Sequence, residues 1–268
     1  GGTLPELYEE DGMVELSMSD VAGGAIVVGS ALAGRRPMYV IRYQGFNWYN
    51  SPSIVNYACK SKEIWNNPCP LLVRSIAMEG GIGPVAGSSH HSLYHRMPGI
   101  KIASPMTSKE YEEVYEEFMK NDDVVYVSEH RGSYSNTEEF EDTLHSKSDI
   151  VLFPISITRF EAEKAKKKLE EGGFKVSIIH QKWIKPFVFK EEWKNCLINS
   201  TNGGIVLDDD YEDGVSKCIA QEMMLNTGKK VYTLGLKNRT AGFHKKVDNL
   251  PPSASEISNF VLGIINEK

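Results

Sequence analysis

The fold is decided by residues 18–37, which read MSDVAGGAIVVGSALAGRRP. Ser19 or Asp20 can cap the free backbone N–H groups of a first helical turn. Gly34 suits the end of that helix, and Pro37 prevents its continuation. The small residues in between let a neighbouring element or a flat ligand approach the helix closely. Taken alone, the stretch therefore predicts a closely packed helix, followed by a buried strand over residues 38–43.

The composition excludes several classes of function. The chain has 268 residues, of which 41% are hydrophobic, enough for one large domain or two medium ones. A net charge of −6 gives no reason to expect a nucleic-acid partner. No apolar run approaches the length of a membrane span and no signal peptide is visible, so we expect a cytoplasmic protein without a membrane partner. The cysteines fit neither a zinc pattern nor a disulfide framework, which predicts buried free thiols at Cys59, Cys69, Cys196 and Cys218.

Strands and helices alternate along the chain. Helices are predicted over residues 52–63, 107–120, 159–171, 189–199, 214–226 and 255–265, and strands over 70–76, 124–127, 149–154, 174–179, 204–208 and 230–235. Such alternation is typical of an α/β fold, here two domains, each a mostly parallel sheet with helices on both faces. A polar segment at 131–148 is interpreted as the linker between a domain at 1–130 and a domain at 149–268.

A glycine-rich loop over residues 78–92 leads into a group of histidines. Its glycine spacing matches neither a Walker phosphate loop nor a dinucleotide fingerprint. His90, His91 and His95 suit proton transfer near neutral pH, whereas zinc is disfavoured because no suitable fourth ligand lies nearby in the sequence. The acidic run at 208–210 is predicted to end in solvent after its strand, so we predict no metal site.

The order of several weak motifs resembles the thiamine-diphosphate enzymes of the transketolase superfamily, above all the beta subunit of the 2-oxoacid dehydrogenase decarboxylase component. The similarity is carried by Ser19-Asp20 with the Arg36-Pro37 turn, by Phe46-Asn47, by residues 56–60, by the Lys185-Pro186 turn and by residues 203–210. The family has Glu where Asp20 stands. The resemblance also implies that about one helix and one strand of the first domain are missing before residue 12, or that a partner supplies that strand.

The resemblance implies roles for particular side chains. Asp20 would take the place of the acid that protonates the pyrimidine ring of the cofactor, and Phe46 that of the aromatic ring stacked on it. Phe46 fits equally well as a core residue at a strand end. Arg42 would bind a substrate anion, although a surface arginine is the simpler interpretation. By alignment His91, with His90 as the alternative and His95 as a third candidate, would transfer protons to and from the substrate.

The resemblance further implies a two-chain enzyme. The family holds thiamine diphosphate through Mg²⁺ on a Gly-Asp-Gly…Asn motif, which this sequence lacks. An alpha-like subunit would therefore bring the diphosphate and Mg²⁺ in an α2β2 assembly. The substrate would be a 2-oxo acid or a keto sugar (phosphate), with cleavage or formation of a C–C bond next to the carbonyl. Two alternatives are a catalytically degenerate scaffold subunit of the same fold and, less favoured, a flavodoxin-like binding domain.

Overall fold

Two sheets with helices packed on them form the framework of the protein. The computed structural model describes residues 8–78, 87–240 and 249–267. In these residues the strands are β1 (Met38–Ile41), β2 (Leu71–Ala77), β3 (Ile100–Ala103), β4 (Val124–His130), β5 (Ile150–Pro154), β6 (Val176–Ile178), β7 (Trp183–Lys185), β8 (Gly204–Tyr211) and β9 (Val231–Leu236). The helices are α1 (Asp20–Leu32), α2 (Asn47–Ser53), α3 (Cys59–Trp65), α4 (Ser92–His95), α5 (Ser108–Lys120), α6 (Thr158–Glu171), α7 (Glu191–Ile198), α8 (Val215–Thr227) and α9 (Ala254–Asn266).

The strand order confirms the predicted fold class. The first sheet has the order β1-β2-β4-β3-β7, and the second has the order β6-β5-β8-β9. All neighbouring strands are parallel except β3 and β7, which are antiparallel. Because β7 comes from the second half of the chain but pairs with β3 of the first half, the two halves are interlocked.

The central strands are apolar because they are covered on both faces. In β2, Leu71 and Val73 pack into one hydrophobic cluster, and Leu72 between them packs into another. Strands buried on both sides show continuous apolar runs rather than alternation, which is why their positions were predicted correctly. Side-chain caps begin two of the surrounding helices: Thr107 accepts the Glu110 N–H at α5, and Ser253 forms a capping box at α9.

The small-residue helix α1 begins at Asp20, but the Ser19 side chain makes no capping hydrogen bond. Its glycines serve close packing against protein. A Cβ atom on Gly24 would lie 2.7 Å from the Asn50 carbonyl oxygen, and one on Gly23 would overlap the Tyr39 hydroxyl. The sequence allowed either a flat ligand or a neighbouring element at this surface. These two glycines accommodate a neighbouring element of the protein.

Three expectations need correction. The helix predicted over 52–63 begins at Asn47 and runs through α2, a π-helical turn over Ile54–Ala58 and α3. The acidic run at 208–210 does not end in solvent, since it lies inside β8 and is buried. All four cysteines are free thiols, but Cys218 is exposed rather than buried. Most of the glycine-rich loop, residues 79–86, lies outside the described residues.

One further sequence expectation concerns membranes. Of the helices in the described part of the chain, none is both long and apolar enough to cross a membrane.

Candidate active site

Asp20 is held at the start of α1 by a short chain of hydrogen bonds. The Asn50 amide donates to Asp20 Oδ1 over 2.9 Å, and the Tyr39 hydroxyl donates to Asn50 Oδ1 over 2.6 Å. Asp20 is half-buried, and among the described residues its second oxygen, Oδ2, has no hydrogen-bond partner. Burial, reinforced by the charge of Asp20, raises the pKa of Tyr39. The carboxyl group is thus oriented from one side and open on the other.

Phe46 lies next to this chain of hydrogen bonds. Its backbone carbonyl accepts a second hydrogen bond from the Asn50 amide, at 3.0 Å, so Asn50 connects Phe46 to Asp20. The Phe46 ring is half-buried against the core, with its centroid 6.3 Å from that of Tyr43. Arg42 is exposed and places its guanidinium group 5.4 Å from the centre of the Tyr43 ring. The structure therefore brings Asp20 and Phe46 together, while Arg42 lies on the surface.

His90 is half-buried, and its backbone is fixed by Gln44. The His90 N–H donates to Gln44 Oε1 over 2.6 Å, and the His90 ring lies 6.3 Å from the Tyr211 ring, centroid to centroid. Burial lowers the pKa of His90, Asp210 opposes this effect, and the adjacent His91 adds to it. A histidine with a lowered pKa is neutral at physiological pH and able to accept a proton. Burial likewise lowers the pKa of His95.

His91 is completely buried, and both nitrogens of its ring have partners. Nδ1 lies 3.1 Å from Ser128 Oγ, and Nε2 lies 3.0 Å from Asp208 Oδ1. Burial acts to lower the pKa of His91, but Asp208, helped by Asp210 and Asp209, raises it to about 10. Within the described residues, His91 therefore faces an internal cluster of carboxylates.

The carboxylates of this cluster come from consecutive positions of β8. Asp208, Asp209 and Asp210 are each at most 2% exposed. Side chains of a regular strand alternate between its faces, but the pairing of β8 with β9 shifts register between Leu207 and Tyr211. Such an irregularity re-aims neighbouring side chains, so that successive carboxylates reach the same region.

Asp209 has one satisfied oxygen and one unsatisfied oxygen. Ser89 Oγ and Ser156 Oγ donate to Asp209 Oδ2 over 2.6 and 2.8 Å. Oδ1 of the same carboxyl group is buried and has no hydrogen-bond partner among the described residues. Burial raises the pKa of Asp209 to about 7, although the positive charge of His91 opposes this. An orphaned oxygen in a buried carboxyl group needs an explanation, because leaving such an atom unpaired is costly.

Sequence reasoning missed several residues that build this region. They are polar side chains buried in the first half, namely Gln44, Asn47, Asn50 and Ser128, and the three aspartates of β8. Gln44 Nε2 donates to Ser128 Oγ over 2.8 Å, so Gln44 links His90 to the partner of His91. Polar residues in the middle of an apolar strand or of a helical segment are a signal that was available. Asn47 and the three aspartates lie in stretches that carry the family resemblance, whereas Gln44, Asn50 and Ser128 belong to no recognisable motif.

The chain is similar to a known protein family and to several known proteins. Residues 6–137 match the family described as transketolase, pyrimidine binding domain. The chain is 22% identical over 206 residues to the 2-oxoisovalerate dehydrogenase subunit beta of Bacillus subtilis, which covers 68% of this chain and 61% of that protein. It is 23% identical over 175 residues to the mitochondrial pyruvate dehydrogenase E1 component subunit beta of Homo sapiens, covering 64% of this chain and 46% of that protein.

The fold has a counterpart among solved structures. A chain described as a split gene transketolase, in an inactive beta4 tetramer, aligns with a TM-score of 0.73 at 15% identity. The alignment covers 94% of this chain and 82% of that one.

Residues 6–137 belong to the family of transketolase pyrimidine-binding domains, which is part of a superfamily of thiamine-diphosphate-dependent enzymes. The chain is similar to two dehydrogenase beta subunits, which is consistent with a beta-like member of this superfamily. It spans about half to three-fifths of the length of those curated relatives.

Proposed function

We propose that this chain provides the pyrimidine half of an active site that it shares with an alpha-like partner. The two-chain enzyme would cleave or form a C–C bond next to a carbonyl group. The observation that carries the proposal is the position of Asp20. Its carboxyl group is oriented by Asn50, and its Oδ2 atom has no hydrogen-bond partner among the described residues. Asp20 is also the first residue of α1, a helix whose outer face is apolar and exposed.

The residues around Asp20 fit thiamine diphosphate. When bound, this cofactor supplies a nucleophilic thiazolium carbon, whose activation needs a protein acid at the pyrimidine nitrogen. Asp20 offers Oδ2 to that nitrogen while Asn50 holds Oδ1. Phe46, which shares the Asn50 amide, offers a half-buried aromatic face for stacking. Fixing the carboxyl group through Asn50 and Tyr39 is how this chain would adapt to an acid one methylene shorter than the glutamate of the family.

His90 is the histidine that we assign to proton transfer with the substrate. It is half-buried, and Gln44 fixes its backbone, whereas the His91 ring has no exposed surface and both of its nitrogens have partners. His91 remains a candidate from the sequence, and the geometry favours a positioning role for it. The donor substrate is a 2-oxo acid or a keto sugar (phosphate), two classes that turnover assays with each donor distinguish.

The exposed face of α1 supports an alpha-like partner. Gly23, Gly24 and Val27 face the core, and the opposite side carries Val21 and Ile26, which are 62% and 54% exposed. Large exposed aromatic residues lie nearby in α2, namely Trp48 and Tyr49. A helix that is apolar on both sides is typical of a buried position, and apolar patches of this kind mark interaction sites. We infer that the partner covers this face and holds the diphosphate with its Mg²⁺, while Asp20 contacts the pyrimidine end of the cofactor, in an α2β2 assembly.

The proposal is tested by calorimetric binding of thiamine diphosphate with Mg²⁺. The chain is titrated alone and after mixing with its alpha-like partner, beside Asp20→Asn and Asp213→Asn. Asp20→Asn keeps an oxygen for the Asn50 amide but removes the acid. Asp213 is a matched control, because it also precedes a helix and pairs only with the surface residue Lys217 among the described residues. We expect tight binding in the mixture that Asp20→Asn weakens at least tenfold and Asp213→Asn leaves unchanged.

A degenerate scaffold subunit is the second candidate function. It is favoured by the complete burial of His91, which in this chain faces carboxylates rather than an open cleft. Absence of cofactor binding in a folded complex would support this candidate and overturn the catalytic one.

A further inference from the structure

A group of side chains able to bind a metal ion is buried inside the protein. We propose that His91, Asp208 and Asp209 bind one divalent transition-metal ion, for which zinc is the probe, and that this ion joins the two halves of the chain. The group combines an imidazole with two carboxylates, a donor set typical of such ions in proteins.

The distances within the group suit a single ion. One donor atom from each of the three residues can be chosen so that all lie within 4.8 Å of one another. His91 Nε2 and Asp208 Oδ1 are 3.0 Å apart. Metal–ligand bonds to nitrogen and oxygen are about 2.0–2.2 Å long, which places neighbouring ligands about 3–3.5 Å apart. The Asp209 carboxyl group would move closer to the other two ligands to complete the three-ligand set.

Hydrogen bonds from surrounding residues hold the donor side chains in place. Ser128 Oγ lies 3.1 Å from His91 Nδ1 and is able to accept a hydrogen bond from Nδ1–H, which keeps the proton on Nδ1 and leaves the Nε2 lone pair for the metal ion. Ser89 and Ser156 both donate to Asp209 Oδ2, so that Oδ1 is the oxygen left without a hydrogen-bond partner in the described part of the chain. Partners of this kind, one layer outside the ligands, fix their orientation at metal sites.

The charge of the cluster also favours a cation. Asp208, Asp209 and Asp210 bring three carboxylates into the interior. Asp210 is satisfied by backbone donors, since Ser92 N–H and Tyr211 N–H reach its two oxygens over 2.9 and 2.7 Å. Pairing of His91 with Asp208, and of His130 Nε2 with Asp209 Oδ2 at 4.0 Å, still leaves Asp209 Oδ1 without a hydrogen-bond partner among the described residues, whereas a metal ion would satisfy the three ligand side chains. Buried charges are tolerated when they are paired or coordinate a metal.

The site would act as a clamp between the halves. His91 follows the glycine-rich loop of the first half, and the two aspartates lie 117 and 118 residues later, in β8. Because His90 is adjacent to His91, a metal ion there would also fix the loop that carries His90. This role is independent of cofactor binding at Asp20, and the test below needs neither partner nor cofactor.

The test measures zinc in the untagged chain. The protein is stripped with a chelator, dialysed against one equivalent of zinc and then against metal-free buffer, and its metal content is determined. We expect about one zinc ion per chain and a higher thermal unfolding midpoint than in the stripped protein, because a ligand that binds the native state stabilises it. X-ray absorption of the zinc-loaded wild type should show one imidazole and oxygen ligands, with no sulfur.

Variants identify the ligands. Asp209→Asn and Asp208→Asn should each lower zinc affinity at least tenfold and remove the thermal stabilisation, while Asp213→Asn on the surface should retain both. Wild-type protein that keeps no zinc, or sulfur in its absorption spectrum, would overturn the proposal. So would full zinc retention by the folded Asp208→Asn/Asp209→Asn double variant. If the variants do not fold, the wild-type retention and ligand set decide the question.

Discussion

The ion pair between Glu110 in α5 and Arg159 in α6 connects the two halves of the chain, and removing it should cost much of their joint stability. Arg159 is completely buried, and its guanidinium group donates to both Glu110 oxygens, over 2.7 and 2.8 Å. The same group lies 4.4 Å from the centre of the Phe140 ring. Glu110→Gln keeps the shape but leaves a buried positive charge without its anion. Breaking a buried pair in this way costs about 3–5 kcal/mol.

The loss should depend on pH in a defined direction. Burial acts to raise the pKa of Glu110, but the hydrogen bonds and charge of Arg159 outweigh it, so the pKa lies below its usual value of 4.5. A carboxyl group with a lowered pKa in the folded state stabilises the fold above its unfolded pKa, and this contribution is lost as the pH falls through the folded value. The difference between wild type and Glu110→Gln should therefore be full at pH 7 and shrink below about pH 4.5.

Urea unfolding followed by circular dichroism at pH 7 and pH 4 measures these differences. Glu116→Gln is the matched control, since Glu116 lies on the same helix and pairs with Lys120 at the surface, and it should change little. The double variant Glu110→Leu/Arg159→Met should be more stable than Glu110→Gln, because it leaves no charge uncompensated. The reasoning is refuted if Glu110→Gln loses less than about 1 kcal/mol at pH 7, or if its loss is equally large at pH 4.

Three smaller predictions concern α1 and the thiols. Gly24→Ala should lower the free energy of unfolding by about 1–3 kcal/mol, because the new Cβ atom meets the Asn50 backbone. Gly29→Ala, whose Cβ atom has open space around it, should raise the free energy of unfolding by up to about 1 kcal/mol. Urea titration measures both changes. Tyr39→Phe should lose about 1 kcal/mol in the same assay, with the hydrogen bond to Asn50, and a loss below about 0.3 kcal/mol would contradict this role. A thiol reagent should label Cys218 rapidly in the native protein and the other cysteines only after unfolding, and rapid labelling of a second thiol would contradict the burial of those three.

The sequence predicted the elements of this protein better than their contacts. The start of α1 at Asp20 and the alternation of the second half follow from local signals, a helix terminus and apolar periodicity, which act within about ten residues. The acidic run at 208–210 was wrongly placed in solvent, because a charged run after a short strand is usually solvated. What buries it is a register shift in β8 and a histidine more than a hundred residues earlier in the chain. Neither leaves a local signal.

Gln44 links the segment that orients Asp20 to the segment that carries the histidines. Its carbonyl oxygen accepts the His90 N–H, and its amide donates to Ser128 Oγ, which also lies next to the His91 ring. Gln44, Phe46 and Asn50 lie in one short segment of the chain. The segment that orients Asp20 therefore also holds the backbone of His90. A change at the buried cluster therefore reaches His90 through two hydrogen bonds, from Ser128 to Gln44 and from Gln44 to the His90 backbone. Because Gln44 is itself completely buried, solvent does not compete for these two hydrogen bonds.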